Sequence, residues 1–206
     1  MFLIGGKKFM KKLLIASQNK GKIKEIKRYL KDINNIETIS LLDLNFNETI
    51  EETGTTYFQN AFIKAKAIYN LYSDYLILAD DSGIEAKALN WKPGVNSRWH
   101  HPSGEDKQNL DLFLSDLKNH KDKSARFQAA LVLYVNNKLF YTFDGTVQGT
   151  ITGRPTGDHG FGYDPVFYVE SLKKTMAEMS EQEKDQISHR GQALKKLKQC
   201  LIKEDF

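Results

Sequence analysis

The stretch LILADDSGI, residues 76–84, passes from four apolar residues directly into two acids, which Ser82 and Gly83 follow. The apolar run predicts a buried strand over 75–79. Adjacent carboxylates repel each other, and one of this pair would normally lie near the core. We therefore expect Asp80 and Asp81 to hold a ligand that compensates for this placement.

The end of a strand is where open α/β sheets usually place their ligand site. Two acids at such a position suit an oxygen-loving divalent cation, and magnesium is favoured where phosphates complete its shell. A carboxylate beside the metal can also orient and deprotonate a water molecule. The alternative is an Asp-Ser-Gly turn capped by one acid, which explains the isolated tetrapeptide equally well.

Segments on both sides of this strand alternate between strand and helix patterns. Asn136-Asn137 separates two β-rich runs and predicts a hairpin, and Ser180-x-x-Glu183 is a capping box that predicts the start of a C-terminal helix. Together these patterns predict an α/β protein with a mixed sheet. The other predicted elements are strands over 12–16 and 36–40 and helices over 19–31, 55–72 and 104–118.

The composition is that of an ordinary globular protein, with 40% hydrophobic and 27% charged residues in a chain of 206. No apolar run approaches the roughly 20 residues that cross a bilayer, so we expect no membrane partner. The single cysteine, Cys200, excludes an intramolecular disulfide and makes the cytoplasm the default location. We interpret residues 1–10 as a leader or upstream start and residues 11–206 as a single domain.

The net charge of +4 is mild, and the lysines are interspersed with acids. A solvated charged surface explains this pattern better than a duplex-binding stripe, so we expect no nucleic-acid partner. A small anionic ligand is compatible with either interpretation.

Two stretches place polar groups at the start of a helix. In IASQNKGK (15–22), Ser17 or Asn19 can cap a helix whose free N–H groups attract phosphate, with Lys20 and Lys22 nearby. An ordinary cap with surface lysines is the alternative. In EETGTTYFQNAFIKAKA (51–67), Asn60 and Lys64 are four residues apart on one helix face, which is equally compatible with a solvated face.

Two later stretches carry glycines, aromatics and charge. GDHGFGYDPVF (157–167) permits close backbone approach, a ring for stacking and an acid that can accept from a base or sugar, unless it is a structural aromatic corner. In EKDQISHRG (183–191), a continuous helix would put Lys184 and Ser188 on one face, with a bend at Gly191. Lysine, histidine and arginine together can bind phosphate or donate to a keto oxygen, although a lone His-Arg pair is usually a feature of the solvated surface.

Together and in this order, these stretches resemble the inosine triphosphate pyrophosphatase family over about residues 12–198. The motifs that carry the resemblance are SQNKGK (17–22), EETGTTYFQNAFIKA (51–65), ADDSGIEA (79–86), PGVNSR (93–98), GFGYDPVF (160–167) and EKDQISHRGQAL (183–194).

The resemblance implies an elongated, two-lobed mixed sheet with flanking helices, an active cleft between the lobes, and a homodimer. It implies Asp81 as the catalytic base and Glu52 and Asp81 as ligands of Mg²⁺, with Asp80 supporting them. The substrate-binding residues implied by the resemblance are Ser17, Gln18, Asn19, Lys20, Gly21, Lys22 and Lys64 for the phosphates, Ser82 for the nucleotide, Phe161, Gly162, Tyr163 and Asp164 for base and ribose, and Lys184, His189 and Arg190 closing over the purine.

The implied activity is hydrolysis of ITP, dITP and XTP to the monophosphate and pyrophosphate, which keeps these nucleotides out of DNA and RNA. Their 6-keto group accepts a hydrogen bond where adenine donates one, and such a polar mismatch discriminates strongly. A non-catalytic purine nucleotide-binding module is the alternative, and a single-stranded nucleic-acid binder is a third hypothesis.

This sequence departs from the family pattern at three places. Gln59 stands where a Glu is common, and Thr-Gly-Asp-His-Gly precedes Phe161 in place of a simpler glycine turn. The remaining departure follows Pro-Gly, where the usual Ser-Ala-Arg is shortened to Ser97-Arg98 and an unusual Trp-His-His comes next. This departure at residues 97–101 bears on the local lid and on dimer contacts.

Overall fold

The computed structural model describes residues 10–204 and 206. The predicted leader therefore lies outside the described residues except for Met10, and the single domain over 11–206 stays a prediction. In the described residues, no helix is long and apolar enough to cross a membrane.

The helices are α1 (Lys20–Leu30), α2 (Tyr57–Leu71), α3 (Asp106–Leu117), α4 (Glu181–Ile187) and α5 (His189–Lys203). The strands are β1 (Lys11–Ile15), β2 (Ile36–Ser40), β3 (Leu76–Ala86), β4 (Lys92–Pro93), β5 (Ser124–Asn136), β6 (Leu139–Ile151), β7 (Phe167–Val169) and β8 (Lys174–Thr175).

These strands form one open mixed sheet of order β2-β1-β3-β5-β6-β7-β8, with β4 paired to β3. The β2-β1-β3 part is parallel, and the pairs from β3 through β5 to β8 are antiparallel. The predicted α/β class with a mixed sheet is confirmed, as is the hairpin of β5 and β6 at Asn136-Asn137.

The strand predicted over 75–79 is longer than expected, because β3 continues through both acids to Ala86. Asp80 pairs with Leu131 and Asp81 with Ala130, so neither the strand end nor the Asp-Ser-Gly turn exists at these residues. The parallel neighbour β1 does stop at Ile15, which pairs with Leu78. The acids therefore lie just beyond the carboxyl end of β1, within a strand that its antiparallel partner β5 extends.

The apolar core lies in two lobes on either side of these acids. At one end of β3, residues 76–79 pack with β1 and β5 on both faces, against α1 and α5 on one and α2 on the other. At the other end, Ile84 and Ala86 pack with α3 and the start of β5. Residues 80–83 carry the chain from one lobe to the other, which leaves room for polar groups there.

The C-terminal helix predicted from the capping box is split in two. Ser180 and Glu183 form the predicted box and open α4, but the helix is interrupted at Ser188. The Ser188 side chain accepts a hydrogen bond from Gly191 N and caps α5. The bend expected at Gly191 thus occurs three residues earlier. Because of this cap, the buried side chains of His189 and Arg190 stand in the first turn of α5.

Candidate active site

Neighbouring side chains on an extended strand point to opposite faces, and this separates the two acids of β3. Asp80 faces α5, where its carboxylate accepts from Arg190 Nε at 2.9 Å. Asp81 faces α2, where its Oδ2 accepts from Asn60 Nδ2 at 3.0 Å. The two carboxylates consequently have different partners and different environments.

On the α5 face, Asp80 belongs to a buried network of alternating charges. Lys22 Nζ lies 2.5 Å from Asp80 Oδ1, and Arg190 also donates to Ser82 Oγ at 2.8 Å and to Glu25 Oε2 at 2.6 Å. Lys184 Nζ lies 2.7 Å from Glu25 Oε1 and 2.6 Å from Asp164 Oδ2, so it links these two carboxylates. The chain of contacts connects α1, β3, α4, α5 and the loop before β7.

Burial and charge act in opposite directions on this network. Burial alone would raise the pKa of Asp80, but Arg190 and Lys22 hold that pKa well below its ordinary value. Glu25 behaves similarly, since burial opposes ionisation while Arg190 and Lys184 lower its pKa to about 2. Burial dominates at Asp164, whose pKa is raised despite the neighbouring Lys184. Asp80 and Glu25 are therefore carboxylates at neutral pH that fix the cations around them.

On the α2 face, Asp81 lies beside the loop that carries Glu52. Lys64 Nζ lies 2.6 Å from Glu52 Oε1 and donates to the main-chain oxygen of Asp80 at 3.2 Å. Burial raises the pKa of Asp81, the charges of Lys22 and Lys64 oppose that rise, and the charge of Glu52 adds to it. The raised pKa makes Asp81 a stronger proton acceptor than an ordinary aspartate.

The donor set of Asp81 and Glu52 fits a hard divalent cation. Both are carboxylates, and a cation bound between them would relieve the electrostatic repulsion that Glu52 exerts on Asp81. Among the described residues, no group of three or more His, Cys, Asp or Glu side chains forms a closed metal cage. A site with two protein carboxylates leaves coordination positions for phosphate and water, which is the arrangement that magnesium favours.

The N-terminus of α1 lies beside these acids. Of the two capping candidates, Asn19 caps the helix by accepting from Lys22 N at 3.0 Å, while Ser17 Oγ accepts from Asn19 N at 3.2 Å. Gln18 donates to Phe46 O at 2.8 Å and so ties the turn to the loop after β2. Lys20 is exposed, whereas Lys22 turns inward to Asp80.

Phe161 covers the first turn of α1. A Cβ on Gly21 would lie 2.4 Å from the Phe161 ring, so only glycine permits this approach. The same ring lies 5.0 Å from Lys184 Nζ and 5.7 Å from the Arg190 guanidinium. The main-chain N–H of Phe161 donates to Asp164 at 2.8 Å, and that of Gly162 donates to Asp106 at 3.1 Å. These two hydrogen bonds hold the glycine-rich loop in place.

Two of the predicted purine-contact residues have rings packed inside the protein. Tyr163 is buried against Phe113 and donates to Ser97 O at 2.7 Å, so its ring is part of the core. His189 is 4% exposed and stacks on Phe127 at 4.7 Å, and its Nδ1 has no hydrogen-bond partner among the residues that the structure describes. Burial lowers the pKa of His189 well below the ordinary value, so the imidazole is neutral.

Glu25 is the residue of this site that sequence reasoning missed. It stands in KGKIKEIKRYL among lysines, where it looked like part of a solvated helix face. The only local indication is its position three residues after Lys22 and four after Gly21, on the face that carries the cap. Its partners lie 159 and 165 residues away in the chain, so the pairing depends on the docking of α4 and α5.

Two departures from the family pattern have local explanations. Gln59 Oε1 accepts from Thr55 N at 2.8 Å and Thr55 Oγ1 at 3.0 Å, so an amide oxygen secures the loop where a carboxylate was expected. Ser97 Oγ donates to Gly94 O at 2.6 Å and accepts from Ile84 N at 2.9 Å, which docks the shortened PGVNSR segment on β3.

Together, the open mixed sheet, the acids split between its faces and the lysines at a helix N-terminus define an α/β protein with a charge-dense site between two lobes. The sequence pattern of the Ham1 family matches residues 13–200, and the chain belongs to this family. This match, together with full-length relatives named dITP/XTP pyrophosphatases, confirms the resemblance inferred from the motifs.

Curated relatives and solved structures match over nearly the whole chain. The dITP/XTP pyrophosphatase of Bacillus subtilis (strain 168) is 41% identical over 195 residues, covering 93% of this chain and 98% of that protein. The dITP/XTP pyrophosphatase of an Exiguobacterium species is 44% identical over 192 residues, covering 93% and 97%. The Ham1 protein structures of Staphylococcus aureus and Coxiella burnetii align with TM-scores of 0.82 and 0.84, each at 38% identity over 95% of this chain and 100% of the other.

Proposed function

We propose that this chain hydrolyses the non-standard purine nucleoside triphosphates ITP, dITP and XTP to the nucleoside monophosphate and pyrophosphate, and so cleanses the nucleotide pool. The observation that carries the proposal is the convergence of separate motifs on Asp80 and Asp81, in a chain whose full-length relatives are named dITP/XTP pyrophosphatases. A non-catalytic module is disfavoured, because the two carboxylates proposed to hold the cation, Asp81 and Glu52, are both present.

The phosphates are proposed to bind between α1 and α2. The capped N-terminus of α1 offers backbone N–H groups and a favourable dipole to an anion. Ser17, Gln18, Asn19, Lys20 and Gly21 contribute this turn. Lys22 and Lys64 flank it, and each is paired with an acid in this structure. The phosphate oxygens are proposed to accept from the ammonium N–H groups that these pairs leave over.

Asp81 and Glu52 are proposed to hold Mg²⁺ together with substrate oxygens. When bound, the cation supplies positive charge to phosphate oxygens, the main electrostatic demand of phosphoryl transfer. The carboxylate of Asp81 accepts the proton of the water that attacks the α-phosphorus. An O–Pα bond forms, the bond from Pα to the bridging oxygen breaks, and pyrophosphate leaves with the electron pair of that bond.

The nucleoside end is proposed to bind at the loop of Phe161, Gly162, Tyr163 and Asp164, with Ser82 touching the nucleotide. Phe161 supplies a half-buried ring for stacking, while Tyr163 and Asp164 hold the loop from inside. Lys184, His189 and Arg190 form the floor of this region. Lys184 and Arg190 are engaged with Glu25, so a direct bond to a purine keto group requires a remaining N–H of either side chain.

A homodimer and a cytoplasmic location complete the proposal. The first rests on the family resemblance and the second on the single cysteine.

A product-resolved assay tests the reaction. We expect Mg²⁺-stimulated conversion of ITP, dITP and XTP to the monophosphate and pyrophosphate, with little conversion of ATP. Formation of the diphosphate and orthophosphate would contradict attack at the α-phosphorus. Tight binding of these nucleotides without hydrolysis would favour the non-catalytic module instead.

A further inference from the structure

Asn60 occupies a position that joins the two carboxylates of the proposed metal site. It is 3% exposed, and both ends of its amide are used. Its Oδ1 accepts from Gly54 N at 2.8 Å, and its Nδ2 donates to Asp81 Oδ2 at 3.0 Å. One side chain therefore links Asp81 to the loop in which Glu52 stands.

Only an asparagine amide satisfies both of these contacts at this length. Gly54 offers an N–H and needs an acceptor, whereas the Asp81 carboxylate needs a donor. An aspartate would turn an oxygen toward Asp81, and an apolar residue would satisfy neither neighbour. The loop is pressed closely onto this amide, because a Cβ at Gly54 would lie 2.6 Å from Asn60 Oδ1.

The backbone of Asn60 is itself fixed on β3 from both sides. One turn earlier, the Tyr57 hydroxyl donates to Glu85 at 3.0 Å, and Arg126 Nε holds the same carboxylate at 2.6 Å. One turn later, Lys64 donates to Asp80 O at 3.2 Å. The start of α2 is thus docked along β3 with Asn60 at its centre.

The other oxygen of Asp81 is also oriented. Its Oδ1 accepts from Ser82 N at 2.9 Å, so both oxygens have one protein donor each. A carboxylate oxygen has about two acceptor sites, so one site on each stays available for water or a cation. Loss of the Asn60 donor frees the carboxylate to rotate away from that arrangement.

We propose that Asn60 is a positioning residue that sets the orientation of Asp81 and the distance of the Glu52 loop from it. This inference rests on the proposed function for its consequence in catalysis. It adds a residue that touches neither substrate nor cation and acts through the two acids that do. Partners that orient ligating side chains in this way typically account for about 10- to 100-fold in metal affinity or activity.

The experiment compares Asn60→Ala and the similarly sized Asn60→Leu with the wild type and with Asn109→Leu as a matched control. Asn109 is 2% exposed, stands in α3, accepts from His101 N at 2.7 Å and donates to Arg98 O at 2.8 Å. It is therefore another buried asparagine that secures a loop, and its described contacts include neither Asp81 nor Glu52. Thermal unfolding and circular dichroism establish that each variant is folded.

Two readouts are taken on each folded variant: the dissociation constant for Mn²⁺ alone, by electron paramagnetic resonance, and the steady-state constants for XTP with the half-saturating Mg²⁺ concentration. For both Asn60 variants we expect weaker Mn²⁺ binding, a higher Mg²⁺ requirement and a lower kcat, each by roughly 10- to 100-fold. We expect Asn109→Leu to lower thermal stability while these constants change by less than the roughly 10-fold minimum expected of the Asn60 variants.

Folded Asn60 variants with wild-type Mn²⁺ affinity and wild-type kcat would overturn the inference, as would equal losses in Asn109→Leu. Failure of the wild type to release pyrophosphate from XTP would instead refute the proposed function. In that case the Mn²⁺ titration alone still decides whether Asn60 organises the two carboxylates.

Discussion

Replacement of Glu25 by glutamine tests whether the buried charge network stabilises the fold through ionised carboxylates. Glu25→Gln preserves the shape of the side chain but removes the charge that pairs with Lys184 at 2.7 Å and with Arg190 at 2.6 Å. Both cations are buried, and each keeps one other carboxylate partner, Asp164 for Lys184 and Asp80 for Arg190. Removal of one partner from a buried ion pair typically destabilises by about 3–5 kcal/mol, and we expect a loss of that order at neutral pH.

The pH dependence of this loss follows from the pKa of Glu25, which folding lowers from 4.5 to about 2. A lowered pKa means that the ionised form contributes stability above the unfolded value, and that this contribution is lost as the pH falls toward 2. At about 1.4 kcal/mol for each pH unit, the whole contribution is about 3 kcal/mol. About 1 kcal/mol of it is lost between about pH 7 and pH 4, and the remainder below that range.

The assay is urea unfolding of the wild type and Glu25→Gln at several pH values between about 7 and 4, followed by tryptophan fluorescence. The difference in unfolding free energy should narrow by about 1 kcal/mol as the pH falls, because only the wild type loses the carboxylate contribution. The exposed Glu37 on β2 provides the control, and Glu37→Gln should differ little from the wild type at any pH. A Glu25→Gln difference that stays constant or widens on acidification would refute the reasoning.

Three further substitutions test separate parts of the site. Asp81→Asn should lower kcat by roughly 10²- to 10⁴-fold with the circular dichroism spectrum unchanged, since the amide cannot accept the proton; undiminished turnover would exclude Asp81 as the base. Gly21→Ala brings a methyl group within 2.4 Å of the Phe161 ring and should raise KM more than it lowers kcat in steady-state assays; an unchanged KM would show that the ring position is irrelevant to substrate binding. Tyr57→Phe removes the 3.0 Å hydrogen bond to Glu85 and should lower the free energy of unfolding in urea by about 1.5–3 kcal/mol, whereas a loss near zero would mean that this contact does not dock α2.

Much of the fold follows from local sequence patterns, because most elements are specified locally. The helix over 55–72, the hairpin at Asn136-Asn137 and the capping box at Ser180 all depend on residues close to one another in the chain, and the structure contains each of them. The extension of β3 could not be predicted in this way. Aspartate and glycine are poor strand formers, and their extended conformation results from pairing with β5, some 50 residues away.

The candidate site divides along the same line between local and distant information. The Asn19 cap and the glycine required beneath Phe161 belong to recognisable motifs, so their positions could be anticipated. The pairing of Glu25 with Lys184 and Arg190 could not, because helix α1 alone does not show which of its charges will be buried. Buried charge is determined by the packing of distant elements, and a single sequence shows only where the charges stand in the chain.

The unexpected length of β3 also determines how its two acids divide their tasks. In a turn, Asp80 and Asp81 could have faced the same cation, but on an extended strand they are directed to opposite faces of the sheet. Asp80 is fully buried and neutralised by Lys22 and Arg190, so its charge is already compensated by the protein. Asp81 has hydrogen-bond donors and distant lysines but no ion pair among the described contacts, so its charge is the one still available to a cation and a water. The protein itself therefore compensates the first acid of the pair, and we propose that ligand and metal compensate the second.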